Sequence, residues 1–276
     1  MGMKYSREES LIKLQETVDA GEPIIGSGAG TGISAKFAER GGTDLIIIYN
    51  SGRYRMAGRG SHAGLLAYGD ANEIVLDMAG EVIPVVEETP VLAGVHATDP
   101  FRDMDVFLKE VEEIGFSGVQ NFPTHGLIDG QFGKELDDLG LGYDKEVEMI
   151  DKASDRGLLT APYVFDEEQA RTMAEVGADI IVAHLGLTRG GDIGAKDVDT
   201  LEAASEKVQR MRDAAVGVNE DVFVISHGGA LAEPEDVAYS MEHTEGVHGI
   251  FGASSMERLL TEDAIREQVE EFKNVI

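Results

Sequence analysis

Short runs of consecutive apolar, often β-branched residues alternate along the chain with longer segments whose apolar residues recur every three or four positions. A continuous apolar run is typical of a strand buried on both faces of a parallel sheet, and the longer period indicates an amphipathic helix. Eight runs predict strands, at 23–27, 45–50, 91–96, 118–122, 158–163, 179–184, 222–227 and 249–253. Eight strand–helix units predict an α/β fold, a closed (βα)8 TIM barrel.

The segments between these strands predict the helices of the barrel, at 33–40, 72–86, 104–114, 143–156, 167–176, 200–215, 235–243 and 263–273. An extra amphipathic helix is predicted at 6–20, before the first strand, where it could close the amino end of the barrel or pack on a partner subunit. One barrel of about 250 residues accounts for the length of the chain. We therefore expect a single TIM-barrel domain over 1–276.

The chain is strongly acidic, with 52 Asp and Glu against 23 Lys and Arg and a net charge of −29. The acids are spread along the sequence, which indicates a charged surface rather than a disordered acidic tail. Such a surface preserves solubility in concentrated salt, so we expect a halophilic protein from a salt-accumulating cytoplasm. The alternative is an ordinary acidic cytosolic enzyme.

Composition also limits the classes of partner that the protein is expected to bind. A nucleic-acid partner is disfavoured because no basic stripe is present to neutralise phosphates. No segment has the apolar length of a membrane span or the apolar core of a secretory signal, so we expect a cytoplasmic protein with no membrane partner. The chain has no cysteine, which excludes thiolate catalysis and cysteine-bound zinc.

The segment from Asn50 to His62 reverses the charge of the chain, because it contains three arginines and no acid. It follows the strand predicted at 45–50, and ligands of α/β folds bind at the carboxyl ends of strands. Guanidinium groups bind carboxylate or phosphate in bidentate fashion, so Arg53 and Arg55 are predicted to clamp an anion, with Asn50 beside them. The connections 50–71 and 123–142 are unusually long and are predicted to be lids or binding loops. Alternatively, the arginines form salt bridges between subunits.

Glycine-rich turns follow three of the predicted strands. The backbone amides of Gly28 and Gly30, at the start of a helix, are predicted to bind an anion, although their spacing is not that of a dinucleotide-binding fingerprint. Gly228, Gly229 and Ser254 lie after strands seven and eight, where many TIM barrels bind phosphate. The alternative is that these glycines only let the rim of the barrel pack tightly.

Three histidines fall at the carboxyl ends of predicted strands. His96, His184 and His227 end strands three, six and seven, and are predicted to act as acid or base. The alternative for each is a core histidine bonded to a neighbouring carbonyl. Asp99, in the loop after strand three, is the acid predicted to join the histidines in catalysis or around a divalent metal.

Five segments together resemble one family: IGSGAGTGIS at 25–34, YNSGRYRMAGRGS at 49–61, GVHATDP at 94–100, QNFPT at 120–124 and SHGG at 226–229. On these segments the chain resembles the phosphoenolpyruvate hydrolase-like TIM-barrel family, which is similar in fold to the phosphoenolpyruvate mutase and isocitrate lyase superfamily. The resemblance implies chemistry beside an enolate and Mg²⁺ held by acids at the ends of the middle strands. The sequence departs from that pattern at His96 to Asp99 and at Asn121, where acids are expected.

Taken with this resemblance, the residues predict an enzyme with hydrolase or lyase chemistry at the carboxyl rim of the barrel. Its substrate is expected to be a small anionic metabolite, a carboxylate or phosphate of the phosphoenolpyruvate or pyruvate kind. The resemblance implies that Ser51 contacts the substrate, and we place Asn121 there too. Mg²⁺ is the candidate cofactor, and a homo-oligomer is expected. The alternative is a metabolite-sensing barrel or oligomeric scaffold without turnover.

Overall fold

The computed structural model of the chain describes residues 5–275. Helices surround a sheet of parallel strands. The strands are β1 (Ile24–Gly28), β2 (Leu45–Ile48), β3 (Val91–Gly94), β4 (Gly118–Gln120), β5 (Leu159–Thr160), β6 (Tyr163–Val164), β7 (Ile180–His184), β8 (Phe223–His227) and β9 (Gly249–Gly252). The α-helices are α1 (Arg7–Asp19), α2 (Gly32–Arg40), α3 (Asn50–Met56), α4 (Ala71–Val82), α5 (Met104–Ile114), α6 (Gly130–Asp138), α7 (Asp144–Asp155), α8 (Glu167–Glu175), α9 (Leu201–Val216), α10 (Pro234–Glu242) and α11 (Leu259–Lys273).

The sheet closes on itself through its fifth strand. The strand order is β5-β4-β3-β2-β1-β9-β8-β7-β6, so β5 and β6 stand at the two ends. These two pieces are separated only by Ala161 and Pro162, and proline has no N–H for the strand ladder. Ala161 N donates to Val119 O on one side, and Val182 N donates to Pro162 O on the other. The predicted barrel is therefore confirmed, with its fifth strand in two pieces.

The core follows from the burial of the strands on both faces. Every residue of β2 is buried, as expected for a strand with barrel interior on one side and helices on the other. On the outside, α5 packs Phe107, Leu108 and Val111 toward the sheet. Glycine is required at one close approach, because a Cβ on Gly118 would lie 2.1 Å from the Leu159 carbonyl oxygen.

The predicted N-terminal helix is present and lies at the amino end of the barrel. α1 begins with a capping box between Ser6 and Glu9. The Arg7 guanidinium is 2.8 Å from the carboxylate of Asp179, which directly precedes β7. The Thr17 hydroxyl donates to Asp44, which directly precedes β2. Because both acids lie at amino ends of strands, α1 fastens to that end of the barrel.

The two long connections contain more helix than the sequence predicts. After β2 the chain forms α3 and then a 3-10 turn, Ser61–Leu65. After β4 it forms a 3-10 turn, His125–Leu127, and then α6. α3 has no side-chain cap at its start, so contacts with the rest of the barrel rather than local signals hold it in place.

The last helix begins earlier than predicted and stands apart from the core. A π-helical turn, Ser254–Arg258, runs directly into α11. No residue of α11 is buried, and Ile265, Val269 and Phe272 are exposed along it. The expected homo-oligomer remains a prediction. Among residues 5–275, no helix combines the length and apolar character needed to cross a bilayer.

A buried ion pair joins distant parts of the rim. The Arg55 Nη2 and Nε atoms of α3 lie 2.6 and 2.8 Å from Glu257 Oε1 in the π-helical turn, and both side chains are at most 2% exposed. The other carboxylate oxygen, Glu257 Oε2, accepts from the Gly30 amide at 2.9 Å. Burial alone would lower the pKa of Arg55, but the Glu257 carboxylate and Tyr49 outweigh it and raise that pKa. Segments after β1, β2 and β9 are thereby tied together.

Arg55→Met should destabilise the fold strongly, because it leaves the Glu257 carboxylate buried without its counter-charge. We expect a loss of about 3–5 kcal/mol in the free energy of unfolding, measured by urea titration. The matched control is Arg171→Met, since the Arg171–Glu168 pair is exposed, and it should cost less than about 1 kcal/mol. Equal losses in the two variants would show that the buried pair has no special role.

Candidate functional site

A small cavity lies at the carboxyl ends of the strands, and we call it the central cavity. Its volume is about 30 Å³. Polar groups on several strands and connections converge on it, together with apolar side chains. Its lining residues are Tyr49, Ser51, Ser61, His62, Phe122, Leu127, Tyr163, His184, Gly186, Leu187, Thr188, His227, Ala253 and Ser254.

Two of the predicted histidines face each other here. His184 and His227 are paired in register at the ends of β7 and β8, and their ring centroids are 4.6 Å apart. His184 Nδ1 accepts from the Gly186 amide at 2.9 Å, so the neutral ring carries its proton on Nε2. His227 Nδ1 lies 2.7 Å from the Phe251 carbonyl oxygen, which can only accept, so its Nε2 is unprotonated. The neutral pair therefore offers one N–H donor, His184 Nε2, and one unprotonated nitrogen, His227 Nε2.

Burial keeps both imidazoles neutral near pH 7. It lowers the pKa of His227 to about 4, with the Phe251 carbonyl opposing and the Arg55 charge assisting the shift. Burial also places the pKa of His184 well below its ordinary value, and proximity to His227 and His62 lowers it further. The site thus holds imidazole rather than imidazolium before any ligand binds.

Two tyrosines that the sequence analysis missed connect these histidines to the buried ion pair. The Tyr163 ring centroid is 5.0 Å from that of His227, and its hydroxyl is 3.5 Å from His227 Nε2. Burial and then Tyr49 raise the pKa of Tyr163 well above its ordinary value. The Arg55 guanidinium lies 5.8 Å from the centroid of the Tyr49 ring. Tyr163 is the last residue of the strand predicted at 158–163, and Tyr49 is the last but one of the strand predicted at 45–50. Their position at the carboxyl ends of strands was the signal in the sequence that could have identified them.

Ser51 lines the cavity, whereas Asn50 holds the structure above it. The Ser51 hydroxyl donates to the Ser61 carbonyl at 2.5 Å, and Asn50 Nδ2 donates to the Gly64 carbonyl at 2.8 Å. Both bonds fix the Ser61–Leu65 turn over the central cavity. Glycine is needed in that turn, because a Cβ on Gly64 would lie 2.1 Å from Ser51 Oγ. Asn50 thus positions the turn through Nδ2, while its buried Oδ1 has no hydrogen-bond partner among the described residues, and its contact with substrate stays a prediction.

The structure does not bring the two arginines of the predicted clamp together. Arg53 is exposed on α3, and Arg55 forms an ion pair with Glu257. Neither residue lines the central cavity. The physical reason is the helical conformation, since residues two positions apart point to nearly opposite sides of a helix. A loop could have brought both guanidinium groups to one ligand, but α3 cannot.

The predicted anion site in the first glycine-rich turn is occupied by the protein's own carboxylates. The Gly30 amide donates to Glu257, and the Gly32 amide donates to Glu81 Oε1 at 2.6 Å. Gly28 lies within β1, where an added Cβ would be 2.9 Å from the Ala253 side chain. In this structure the Gly30 amide is therefore not free for a ligand, and Gly28 packs against the rim, so ligand binding by either stays a prediction.

The glycines after β8 also shape the rim instead of lining the cavity. Gly228 and Gly229 have φ of +77° and +57°, a conformation that favours glycine. The Gly229 amide donates to the Gly186 carbonyl at 3.1 Å, which positions the segment carrying Leu187 and Thr188. Their predicted role in substrate binding is therefore corrected to a structural one.

Ser254 does line the central cavity, as the first residue of the π-helical turn that continues into α11. The positive end of this long helical segment therefore lies at the cavity wall.

His96 and Asp99 lie away from the central cavity, so the structure does not join them to His184 and His227, and their catalytic role stays a prediction. β3 ends at Gly94, and the Asn72 side chain of α4 accepts from the His96 amide at 2.8 Å, so the chain has already turned outward. His96 lines a separate cavity of about 320 Å³. Asp99 is 2.8 Å from Arg102 and accepts from Asn72 at 3.0 Å.

Asn121 supports Tyr163 and has no free atom for a ligand. Its Oδ1 accepts from the Tyr163 amide at 2.6 Å, and its Nδ2 lies 3.2 Å from the Tyr163 carbonyl and 2.5 Å from Glu146 Oε2. The predicted substrate contact is therefore corrected to a positioning role. Burial raises the pKa of Glu146 to about 8 against the opposing donors of His125, Thr124 and Asn121.

The residues present do not fit Mg²⁺, which prefers carboxylate and other oxygen ligands. No acidic side chain lines the central cavity. The nearby acids are committed elsewhere: Glu257 to Arg55, Glu146 to the segment after β4, and Asp99 to Arg102. Within the part of the chain that the structure describes, no cluster of three or more His, Asp or Glu could hold a metal ion.

Comparison with known proteins identifies the family. The profile of the "Phosphoenolpyruvate hydrolase-like" family matches residues 9–275. The ToMV susceptible protein tm-1(GCR26) of Solanum lycopersicum is 59% identical over 265 residues, which are 96% of this chain and 35% of that protein. The chain thus spans about a third of the length of this relative.

Solved structures share the barrel. A phosphoenolpyruvate phosphomutase from Streptomyces platensis subsp. rosaceus superposes with a TM-score of 0.62 at 17% identity, over 96% of this chain and 86% of that one. A phosphonopyruvate hydrolase in complex with oxalate and Mg²⁺ gives 0.57 at 15% identity, over 96% and 87%. These likenesses confirm the expected similarity of fold, and with the profile match they establish that the chain belongs to the phosphoenolpyruvate hydrolase-like family.

Proposed function

We propose that this chain is an enzyme that acts on a small carboxylate of the pyruvate or phosphoenolpyruvate kind in the central cavity, by hydrolase or lyase chemistry. The observation that carries the proposal is the pair of buried, neutral imidazoles with opposite tautomers, His184 and His227, facing one closed cavity. Membership of the family and the substrates named for the solved barrels support the substrate class.

The two imidazoles suit proton transfer next to a carbonyl group. His227 Nε2 accepts a proton as the carbon–hydrogen bond beside the carbonyl breaks. The electron pair moves to the carbonyl oxygen, which receives a hydrogen bond from His184 Nε2–H as it becomes an enolate oxygen. A neutral imidazole is a competent donor in this role. The enolate carbon then either takes the proton back from His227, which restores the carbonyl compound, or uses the same electron pair to form a bond to an electrophilic carbon while His227 keeps the proton. Lyase cleavage is the reverse of that bond formation and ends when His227 protonates the enolate carbon.

Neutral donors, not arginines, would bind the carboxylate group. Thr188 and Ser254, whose hydroxyls can donate, line the cavity, and the positive end of the helical segment beginning at Ser254 lies at its wall. The Ser51 hydroxyl could donate to a ligand only after leaving the Ser61 carbonyl. Such donors stabilise an anion in an enclosed site where water does not compete. A bound anion would also raise the pKa of both histidines toward the working range of an acid or base.

A second candidate function, ligand sensing without turnover, is favoured by one observation. The central cavity has no acidic lining residue and no metal-binding cluster among the described residues, although the phosphonopyruvate hydrolase structure contains Mg²⁺. A sensor would bind the carboxylate and be stabilised by it, but it would form no product. The experiments below separate the two functions.

His227→Gln should abolish proton transfer, because glutamine cannot act as a base. We expect wild-type protein to exchange the methyl protons of pyruvate for deuterium in D₂O, followed by proton NMR. His227→Gln should slow that exchange about 10²–10⁴-fold. His184→Gln should also slow it, through loss of the imidazole donor. The exposed His243→Gln is the control and should exchange at the wild-type rate. Pyruvate binding by wild type without any exchange would favour the sensor.

Acid should destabilise the fold through the same histidines. An unfolded histidine has a pKa of about 6.5, whereas His227 in the fold has a pKa of about 4, so the unfolded state binds more protons between these values. Stability is therefore full above pH 6.5 and falls, by roughly 1.4 kcal/mol per pH unit for His227, as the pH drops toward 4. Urea titrations across this window should show a shallower fall for His227→Gln. An unchanged slope would argue against a buried neutral His227.

Mg²⁺ should be dispensable, because the cavity offers no carboxylate ligand. Treatment with excess EDTA, or addition of millimolar MgCl₂, is expected to leave both the melting temperature and the pyruvate exchange rate unchanged. Loss of exchange in EDTA that is restored by Mg²⁺ would show that the observed donor set rearranges to bind the ion.

A further inference from the structure

An open groove of about 880 Å³ runs over the surface beside the central cavity, and we call it the outer groove. Its walls come from α3 and the segment after it, and from the segment that leads into α6 together with α6 itself. Apolar and aromatic side chains dominate them, including Tyr54, Leu66, Tyr68 and Phe132. A groove of this size is in the range that holds a complete organic ligand.

The outer groove and the central cavity share a wall. His62 and Leu127 line both, one in each of the two 3-10 turns that cover the cavity. The central cavity, at about 30 Å³, has space for one or two water molecules rather than for a three-carbon acid. The cavity must widen to admit any carboxylate, and displacement of His62 and Leu127 would join it to the groove.

The groove exposes large apolar side chains to solvent. Leu66, Tyr68 and Phe132 are 57%, 69% and 61% exposed, and they gather around this one depression. Clustered exposed apolar groups on a soluble protein usually mark a binding surface. A ligand with an apolar body would cover them.

The charge of the groove suits an organic anion. The chain has 52 acids, yet Asp129 is the only acidic residue lining the groove, and Arg59 lines it as well. The Arg59 guanidinium hydrogen-bonds to the Gly58 carbonyl, and it forms no ion pair with any residue within 5–275. The groove is therefore close to neutral on a protein of net charge −29, and it would not repel an approaching carboxylate.

We infer that the outer groove binds the apolar tail of the substrate whose carboxylate end reacts in the central cavity. The substrate class is then a 2-oxo acid or a related carboxylate that carries an aryl or medium-length alkyl group, and pyruvate is only its reacting end. This inference rests on the proposed function, because it extends the same site outward across His62 and Leu127.

Paired ligands test the inference. Calorimetric titration of wild-type protein should give a dissociation constant at least about tenfold lower for phenylpyruvate than for pyruvate, because the ring is buried in the groove. Phe132→Ser and Leu66→Ser should remove most of that difference while leaving the pyruvate constant unchanged. Both positions are exposed, so these variants should fold. Phe101→Ser is the matched control, since Phe101 is 93% exposed and lies outside the groove.

Each other outcome has a definite meaning. If pyruvate binds and phenylpyruvate binds no more tightly, or if Phe132→Ser keeps the full gain, the inference is overturned and the proposed function stands. If neither ligand binds wild-type protein, both fail together. If Phe132→Ser instead changes the sedimentation coefficient and not the affinity ratio, the groove is covered by a second copy of the chain and the inference is again overturned.

Discussion

The buried ion pair between Arg55 and Glu257 is the constraint on which the rim of this barrel depends. Taking two opposite charges out of water is costly unless they are paired, and here one carboxylate serves both the guanidinium and the Gly30 amide. The pair fixes α3 after β2, the turn after β1 and the π-helical turn after β9 relative to one another. The pair also places the positive charge of Arg55 beside the ring of Tyr49. Tyr49 in turn interacts with Tyr163, whose hydroxyl lies near His227 Nε2.

Because the protein's own carboxylates occupy the glycine amides and the arginine, the central cavity is left without a fixed charge. Its chemistry depends instead on the tautomers of two imidazoles, which neighbouring backbone groups select. The Gly186 amide directs the proton of His184 to Nε2, and the Phe251 carbonyl directs that of His227 to Nδ1. Burial lowers the pKa of both rings, so the pair is poised as donor and base rather than as two cations.

The two 3-10 turns that cover the central cavity, Ser61–Leu65 and His125–Leu127, are held in place by buried polar side chains. Asn50 and Ser51 fix the Ser61–Leu65 turn, and Glu146 receives the hydroxyl of Thr124 and the amide of His125 at the start of the other turn. One residue of each turn, His62 and Leu127, lines the central cavity.

The sequence by itself determined the barrel, because each apolar run must be buried on both faces of a parallel sheet and eight strand–helix units in a chain of this length favour a closed one. It also placed His184 and His227 correctly, since both still lie within strands whose ends face one rim. It placed His96 within a strand, whereas His96 lies beyond the end of β3. It also grouped Arg53, Arg55, Gly28 and Gly30 around one anion, an arrangement that the structure does not show. Only the tertiary structure decided those residues, because the partner of Arg55 and Gly30 is Glu257, more than 200 positions away. A charge or an amide can be assigned to a ligand only after its partners within the fold are known.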